Sequence, residues 1–304
     1  MLQVLRQYPS MKILACAPSN SAADLIAQRL SSSLSPQQMF RCNAVFRPLS
    51  TLPKGLEPYV RVHDNHFVLP TLAELNAYRV IVSTCGNASF AYNIGMATGH
   101  FAYIFIDEAG QASEPEIMTA VKGITGPETR VVLSGDPKQL GPVIRSSVAR
   151  ELGLGKSYME RLMDLPVYST PAARGRSYVA PLLASDLHLA LTFPSNTRVI
   201  KLVKNYRSHS TILRYPNEQF YGGELEACGA PAEVDAFLGS PQLVAPHFPV
   251  VFQHVPGENE REATSPSYFN ILEATEVVER VQRLLADRAH PIREWRLCNC
   301  DEWS

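Results

Sequence analysis

The chain has 304 residues, 45% of them hydrophobic and 19% charged, with a formal net charge of -1. That length allows two domains of ordinary size and a real core, and the balance is that of a globular chain rather than a fibrous or disordered one. A net charge near zero neither favours nor excludes nucleic acid, because one groove can be basic while the whole is not.

No apolar run approaches the length of a membrane span, and the N-terminus lacks the charged-then-apolar pattern of a signal peptide. The six cysteines are scattered without pairing logic. Cys298 and Cys300 form a lone Cys-x-Cys with no second pair, which argues against zinc and for reduced thiols in the cytosol.

Taken in chain order, "MLQVLRQYPS" reads as the tail of a helix ended by Pro9. "KILACAP" follows as a fully buried strand, then "SNSAADLIAQRL" as a helix with Ala22, Ile26, Arg29 and Leu30 at helical spacing. Residues 35–70 are Pro-containing and irregular. "YRVIVSTC", "YIFIDEA" and "TRVVLSGD" are further buried strands, and between the last two "SEPEIMTAVKG" sets Ser113 and Glu116 in capping-box spacing and closes at Gly123. Apolar strands that do not alternate, separated by helices, predict a parallel sheet covered on both faces, hence a doubly wound α/β domain over 1–163. Residues 164–197 are rich in Pro, Ala and Ser without a sustained period and read as a linker or flexible insertion. A second unit spans 198–290, with "FPVVFQHV" as a strand and "NILEATEVVERVQRLLADR" as a helix carrying the stripe Val277, Val278, Val281, Leu284 and Leu285.

Three stretches carry chemistry. "IFIDEA" ends an apolar strand on Asp107 and Glu108, at the carboxyl edge where ligands of parallel sheets bind. There Asp107 is placed to hold Mg²⁺ through water, and Glu108 to orient or deprotonate an attacking water. "LSGDPKQLGPVIRS" ends another strand on Asp136 and supplies Gln139, a neutral side chain suited to sensing a terminal phosphate. "KNYRSHSTIL" sets Tyr206 beside Arg207, a ring that stacks on a base and a cation that neutralises charge on a transferred phosphoryl group. Each stretch alone also fits a plain surface: solvated acids at a strand end, a polar β-turn, a Tyr-Arg pair at a helix start.

In this order the stretches, with "ILACAPSNSAADLIAQRL", "GDPKQLGPV" and "NYRSHSTIL…PNEQFYGGELEA", resemble a superfamily 1 RNA helicase of the nonsense-decay-helicase-like group, most similar to its Armitage (RNA-silencing) branch. "SPSYFN" near residue 265 fits as well. The resemblance implies an ATP-dependent enzyme with two RecA-like domains, Mg²⁺ and ATP as cofactors, single-stranded RNA and RNA-silencing ribonucleoprotein components as partners, and a cytoplasmic location. By that resemblance Asp107 binds Mg²⁺, Glu108 is the catalytic base, Gln139 reads the γ-phosphate, Arg207 reaches that phosphate from the second domain and Tyr206 stacks on the base. Pro18, Ser19 and Asn20, with Ser83 and Thr84, resemble the strand-end elements on the RNA side, where short hydroxyl and amide groups suit contacts that ignore sequence. "APSN" is equally an ordinary helix N-cap.

The pattern breaks at the phosphate loop. The only Gly-Lys-Ser, in "GLGKS" at 153–157, has Arg150 at the first-glycine position, follows "SSVARE", which reads as helix or turn, and lies after the sensor stretch. It is a decoy. The expectation is that Met1 begins inside the helix that the loop would open and that the second RecA-like domain is incomplete, "REWRLCNCDEWS" at 291–304 being unlike the family. The leading expectation is therefore a helicase fragment with little ATPase activity of its own. A catalytically inactive RNA- or protein-binding fragment and a DNA helicase of the same superfamily are the alternatives.

Overall fold

The computed structural model describes residues 1–169, 174–177, 199–262 and 267–290. The tail at 291–304, most of the linker segment and part of "SPSYFN" lie outside them. Two compact units divide at residues 173 and 174.

The first unit is a five-stranded parallel sheet in the order β2-β5-β1-β6-β7. Its strands are β1 (Ile13–Ala17), β2 (Met39–Arg41), β5 (Val80–Thr84), β6 (Tyr103–Ile106) and β7 (Arg130–Leu133), and β3 (Val62–His63) and β4 (His66–Phe67) form a separate small hairpin. Strand alternation sorts the core into two layers. Ile13, Ala15, Ala17, Met39, Val80 and Val82 face one side, where Ala23, Ile26, Ala27 and Leu30 of α2 (Asn20–Ser31) and Leu5 of α1 (Leu2–Gln7) pack. Leu14, Cys16, Ile81, Ile104 and Ile106 face the other, against Ile117 and Ala120 of α5 (Glu114–Val121). Burial of both faces explains why β1 and β5 read as continuous apolar runs. β6 is only half-buried on one face, and the expected burial of "TRVVLSGD" is corrected: β7 is the edge strand, with Val131 and Val132 exposed because among the described residues no further strand pairs beyond it. Capping drawn from the sequence holds: Ser113 and Glu116 form a reciprocal capping box at the start of α5. Two shorter helices, α3 (Leu72–Ala77) and α4 (Phe90–Asn93), complete the crossovers.

The irregular stretch 35–70 contains a strand that periodicity did not show. β2 is three residues long and ends on Arg41, which is fully buried, so it carries no apolar pattern. Beyond β7 come α6 (Ser147–Glu151), α7 (Tyr158–Met163) and α8 (Pro166–Ser169), so regular structure continues past residue 164.

In the second unit, β8 (Arg174–Ser177) pairs in parallel with β9 (Val199–Leu202), β10 (Lys204–Asn205) with β11 (Glu226–Ala227), and β12 (Glu260–Arg261) antiparallel with β13 (Tyr268–Phe269). Its described helices are α9 (Ser210–Phe220), α10 (Pro231–Val234) and α11 (Ile271–Ala286), the last capped by Asn270, whose Oδ1 accepts from Leu272 N and Glu273 N. "FPVVFQHV" is not a strand: residues 249–255 have no regular structure, and Val250 and Phe252 are exposed because no neighbouring strand pairs with them. The predicted stripe on α11 is not buried either, with Val277, Val278 and Leu285 exposed. Among the described residues no helix is long and apolar enough to cross a membrane.

Candidate nucleotide site

From β1 the chain passes outward to β2, returns through β5, and then crosses to β6 and β7 on the other side of β1. The crossover direction therefore changes between β1 and β6, and a crevice opens at the carboxyl ends of strands on either side of such a point. Asp107 sits there. Its N–H donates to Cys16 O at 2.8 Å, so the first acid is pinned to the tip of β1.

The register places β7 to complete the site. Ile106 pairs with Leu133, which sets Ser134 beside Asp107, and the Ser134 hydroxyl donates to Asp107 Oδ1. Ala109 N donates to Ser134 O at 2.8 Å, so the loop after β6 and the loop after β7 are stitched by backbone as well as side chain. They touch closely enough to require glycine at both faces. A Cβ on Gly110 would lie 2.6 Å from Asp136 O, and one on Gly135 would lie 2.9 Å from the N atoms of Ala109 and Gly110. Within the loop after β7, Asp136 accepts from Lys138 N at 2.8 Å and from Gln139 Nε2 at 2.9 Å. Gln139 is exposed, with its amide serving its own turn.

Glu108 has φ +52, a left-handed backbone that a residue with a Cβ rarely adopts. It turns the chain directly after Asp107, and Gln111 Nε2 donates to Glu108 Oε2 at 3.4 Å. This geometry answers how two adjacent carboxylates share a strand end. Asp107 is bonded to β7, and Glu108 leaves on a different heading.

The donor set suits magnesium. Mg²⁺ keeps most of its waters and takes only one or two carboxylates besides phosphate oxygens. Asp107, a half-buried carboxylate with the Ser134 hydroxyl beside it, matches that demand. No group of three His, Cys, Asp or Glu side chains able to cage a metal occurs among the described residues. "GLGKS" does not serve as a phosphate loop: Ser157 caps α7 by accepting from Glu160 N at 3.1 Å, and Lys156 pairs with Asp164.

On the other strand tips the residues expected to meet RNA divide. Pro18, Ser19 and Asn20 follow β1, and Ser19 caps α2, accepting from Ala22 N at 3.1 Å. The Thr84 hydroxyl accepts from Asn87 N at 3.3 Å. Ser83 requires a correction. Its side chain is fully buried beside the Cys42 thiol, because strand alternation turns it inward, so it offers no surface to a ligand. The thiols below are buried as well: burial pushes Cys42 and Cys85 up to about 12 and Cys16 well above its ordinary range. In the second unit, Tyr206 and Arg207 stand on the turn between β10 and α9, where Asn205 Oδ1 accepts from Arg207 N at 3.0 Å and Ser208 N at 2.9 Å. Both side chains are exposed.

Two features near the candidate site escaped the sequence. Ser134 was findable from strand pairing, since it follows β7 as Asp107 follows β6. The buried cluster of Asp24, Arg41 and Arg47 beneath Asn20 was not, because charged residues read as surface.

Two stretches match the family description "AAA domain", residues 71–147 and 184–296. The human protein named "RNA helicase Mov10l1" is 41% identical over 279 residues, covering 91% of this chain and 22% of that protein. The Gallus gallus "Putative helicase MOV-10" is 38% identical over 300 residues, covering 93% of this chain and 29% of that protein. The Drosophila melanogaster "Probable RNA helicase armi" is 29% identical over 307 residues, with shares of 91% and 25%. The chain therefore spans about a quarter of the length of these relatives. It belongs to the superfamily 1 RNA-helicase family of the nonsense-decay-helicase-like group, on the branch of the Mov10 and Armitage proteins.

Proposed function

We propose that the chain is the metal-binding and phosphate-sensing part of an ATP-dependent RNA helicase that moves single-stranded RNA in a cytoplasmic silencing pathway. The observation that carries this reading is the junction of the β6 and β7 loops, which brings Asp107, Glu108, Ser134 and the turn bearing Gln139 to one sheet edge. Bound MgATP would supply the transferable phosphoryl group and the cation. Asp107 would hold that cation through water while Ser134 fixes its carboxylate. Glu108 would orient the attacking water and accept its proton, and Gln139 would exchange its bond to Asp136 for one to the terminal phosphate. Arg207 would neutralise charge on that phosphate, and Tyr206 would stack on the base. Pro18, Ser19, Asn20 and Thr84 would meet the RNA backbone.

The 304-residue sequence contains no Gly-x4-Gly-Lys-Ser/Thr, the pattern whose backbone amides would cradle the β- and γ-phosphates. The test uses the chain alone and the chain fused behind a relative's strand and phosphate loop. RNA-stimulated phosphate release is expected from the fusion, is expected to vanish in Glu108→Gln, and is expected to be near background in the chain alone. A fusion that folds and binds RNA without regard to a non-hydrolysable ATP analogue would instead support a purely RNA-binding role.

A further inference from the structure

After β2 the chain runs "CNAVFRPLST", residues 42–51. Arg47 in this stretch is buried, and five hydrogen bonds leave its guanidinium. Nε donates to Thr51 Oγ1 at 3.0 Å, Nη1 to Asp24 Oδ1 at 2.9 Å and Asn43 Oδ1 at 2.7 Å, and Nη2 to Asp24 Oδ2 at 2.5 Å and Thr51 O at 2.8 Å. Its own N–H donates to Ala44 O at 3.1 Å, closing a turn, and Pro48 follows with φ -62. The turn is thus fastened on its inner side. Its outer side carries Val45, 50% exposed, and Phe46, 90% exposed. A ring held in water on a turn with so little freedom has already lost the entropy that a binding partner would otherwise have to remove.

The place of this turn indicates the partner. It leaves β2 at the carboxyl edge of the sheet, two strands from β1, whose tip bears Asn20. The two tips are tied together from below. Asp24 on α2 accepts from both Arg41 and Arg47, and Arg41 Nη2 donates to Asn20 Oδ1 at 3.1 Å. With its oxygen committed inward, the Asn20 amide keeps Nδ2 for an acceptor outside. Two guanidinium groups against one carboxylate leave the buried cluster with an excess positive charge, which favours a polyanion at the surface above it.

We propose that Phe46 is a base-stacking residue for single-stranded RNA, with the Asn20 amide serving an adjacent phosphate or ribose and Arg47 acting as the positioning residue for the turn. The inference rests on the RNA reading above and deepens it. Sequence-tolerant stacking on an exposed ring, beside a contact to the backbone, is how single strands are held without base reading.

The test is fluorescence anisotropy of a labelled oligouridine with the full 304-residue chain, wild type against Phe46→Ala, Phe46→Tyr and Phe46→Trp. Phe46→Ala is expected to weaken binding by roughly 5-fold or more, with an unchanged melting curve because the ring is exposed, and with an unchanged salt slope because no charge is lost. Phe46→Tyr is expected to keep the affinity, and Phe46→Trp to gain emission that RNA quenches relative to wild type. Wild-type affinity in Phe46→Ala would overturn the stacking role, including the case in which the ring serves a protein partner, while leaving the RNA reading intact. Absence of RNA binding by the wild-type chain would overturn both.

Discussion

Replacing Asp24 by Asn tests the account of the first unit most sharply, because one carboxylate there answers two buried arginines. The side chains of Asp24, Arg41 and Arg47 are 4%, 0% and 4% exposed, and three charge-assisted bonds reach the carboxylate at 2.9, 2.9 and 2.5 Å. Asn keeps the shape but puts an amide N–H₂ where one carboxylate oxygen accepted, so donor meets donor and two guanidinium charges lose their counter-ion. Removing one partner of a buried ion pair costs about 3–5 kcal/mol. For a unit of 173 residues each kcal/mol is worth about 2–4 °C in Tm, so the expected fall is roughly 6–20 °C. Urea unfolding followed by far-ultraviolet circular dichroism gives the free energy, and thermal melting gives the shift. A loss below about 1 kcal/mol would refute the claim that the cluster is dry and mutually satisfied, and with it the argument that Arg47 fastens the Phe46 turn.

Gly110→Ala should cost about 1–3 kcal/mol as an overpacking change, since its Cβ would press on Asp136 O at 2.6 Å; in the active fusion it should also cut turnover about 100-fold by spreading the two loops, and unchanged turnover would dissociate the loops from catalysis. Burial holds the Cys42 and Cys85 thiols up to about 12, against 9.0 for the free group. Their folded values are raised, so the stability they contribute is complete below about pH 9 and is lost as pH climbs toward 12, at about 1.4 kcal/mol per pH unit per thiol. Urea unfolding between pH 8 and 11 should therefore fall less steeply in Cys42→Ala and Cys85→Ala, and identical slopes would contradict the burial. Lys156→Ala, which breaks only an exposed pair with Asp164, should change stability by less than about 0.5 kcal/mol and leave nucleotide turnover of the fusion untouched. Lost turnover would mean that "GLGKS" does touch phosphate.

What the sequence shows and hides follows from which faces are covered. β1 and β5 are legible because both faces are buried and their runs are largely apolar, and β6 because its four residues are all apolar or aromatic although one face is only half-buried. β2 is hidden because its last residue, Arg41, is an arginine made tolerable inside only by Asp24 and Asn20, partners 17 and 21 residues away in sequence. "FPVVFQHV" misleads for the opposite reason: its composition is that of a strand, yet no ladder forms there to cover Val250 and Phe252. At the candidate site, Asp107, Glu108 and Gln139 are proposed from residue type and order. Ser134 needs the β6–β7 register, and the inward turn of Ser83 needs the alternation along β5.

The backbone at Glu108 supplies the strictest test of whether this strand end is shaped for chemistry. A left-handed conformation costs a residue with a Cβ about 1–2 kcal/mol, whereas glycine adopts it freely. At an ordinary position Gly is less stable than Ala by roughly 0.5–1 kcal/mol, because the unfolded chain gains more freedom. With φ +52 the order should invert. Glu108→Ala removes the carboxylate and keeps the strain, while Glu108→Gly removes both, so the Gly variant should be the more stable by about 1 kcal/mol in paired urea titrations. Both should be inactive in the fusion. Strain persists only where the surrounding structure over-determines it, and here the ties Asp107 N to Cys16 O and Ala109 N to Ser134 O clamp the residue from either side. If Glu108→Ala equalled or exceeded Glu108→Gly in stability, the carboxylate would sit on relaxed backbone. Its heading would then no longer argue that stability was given up to aim an acid at a bound water.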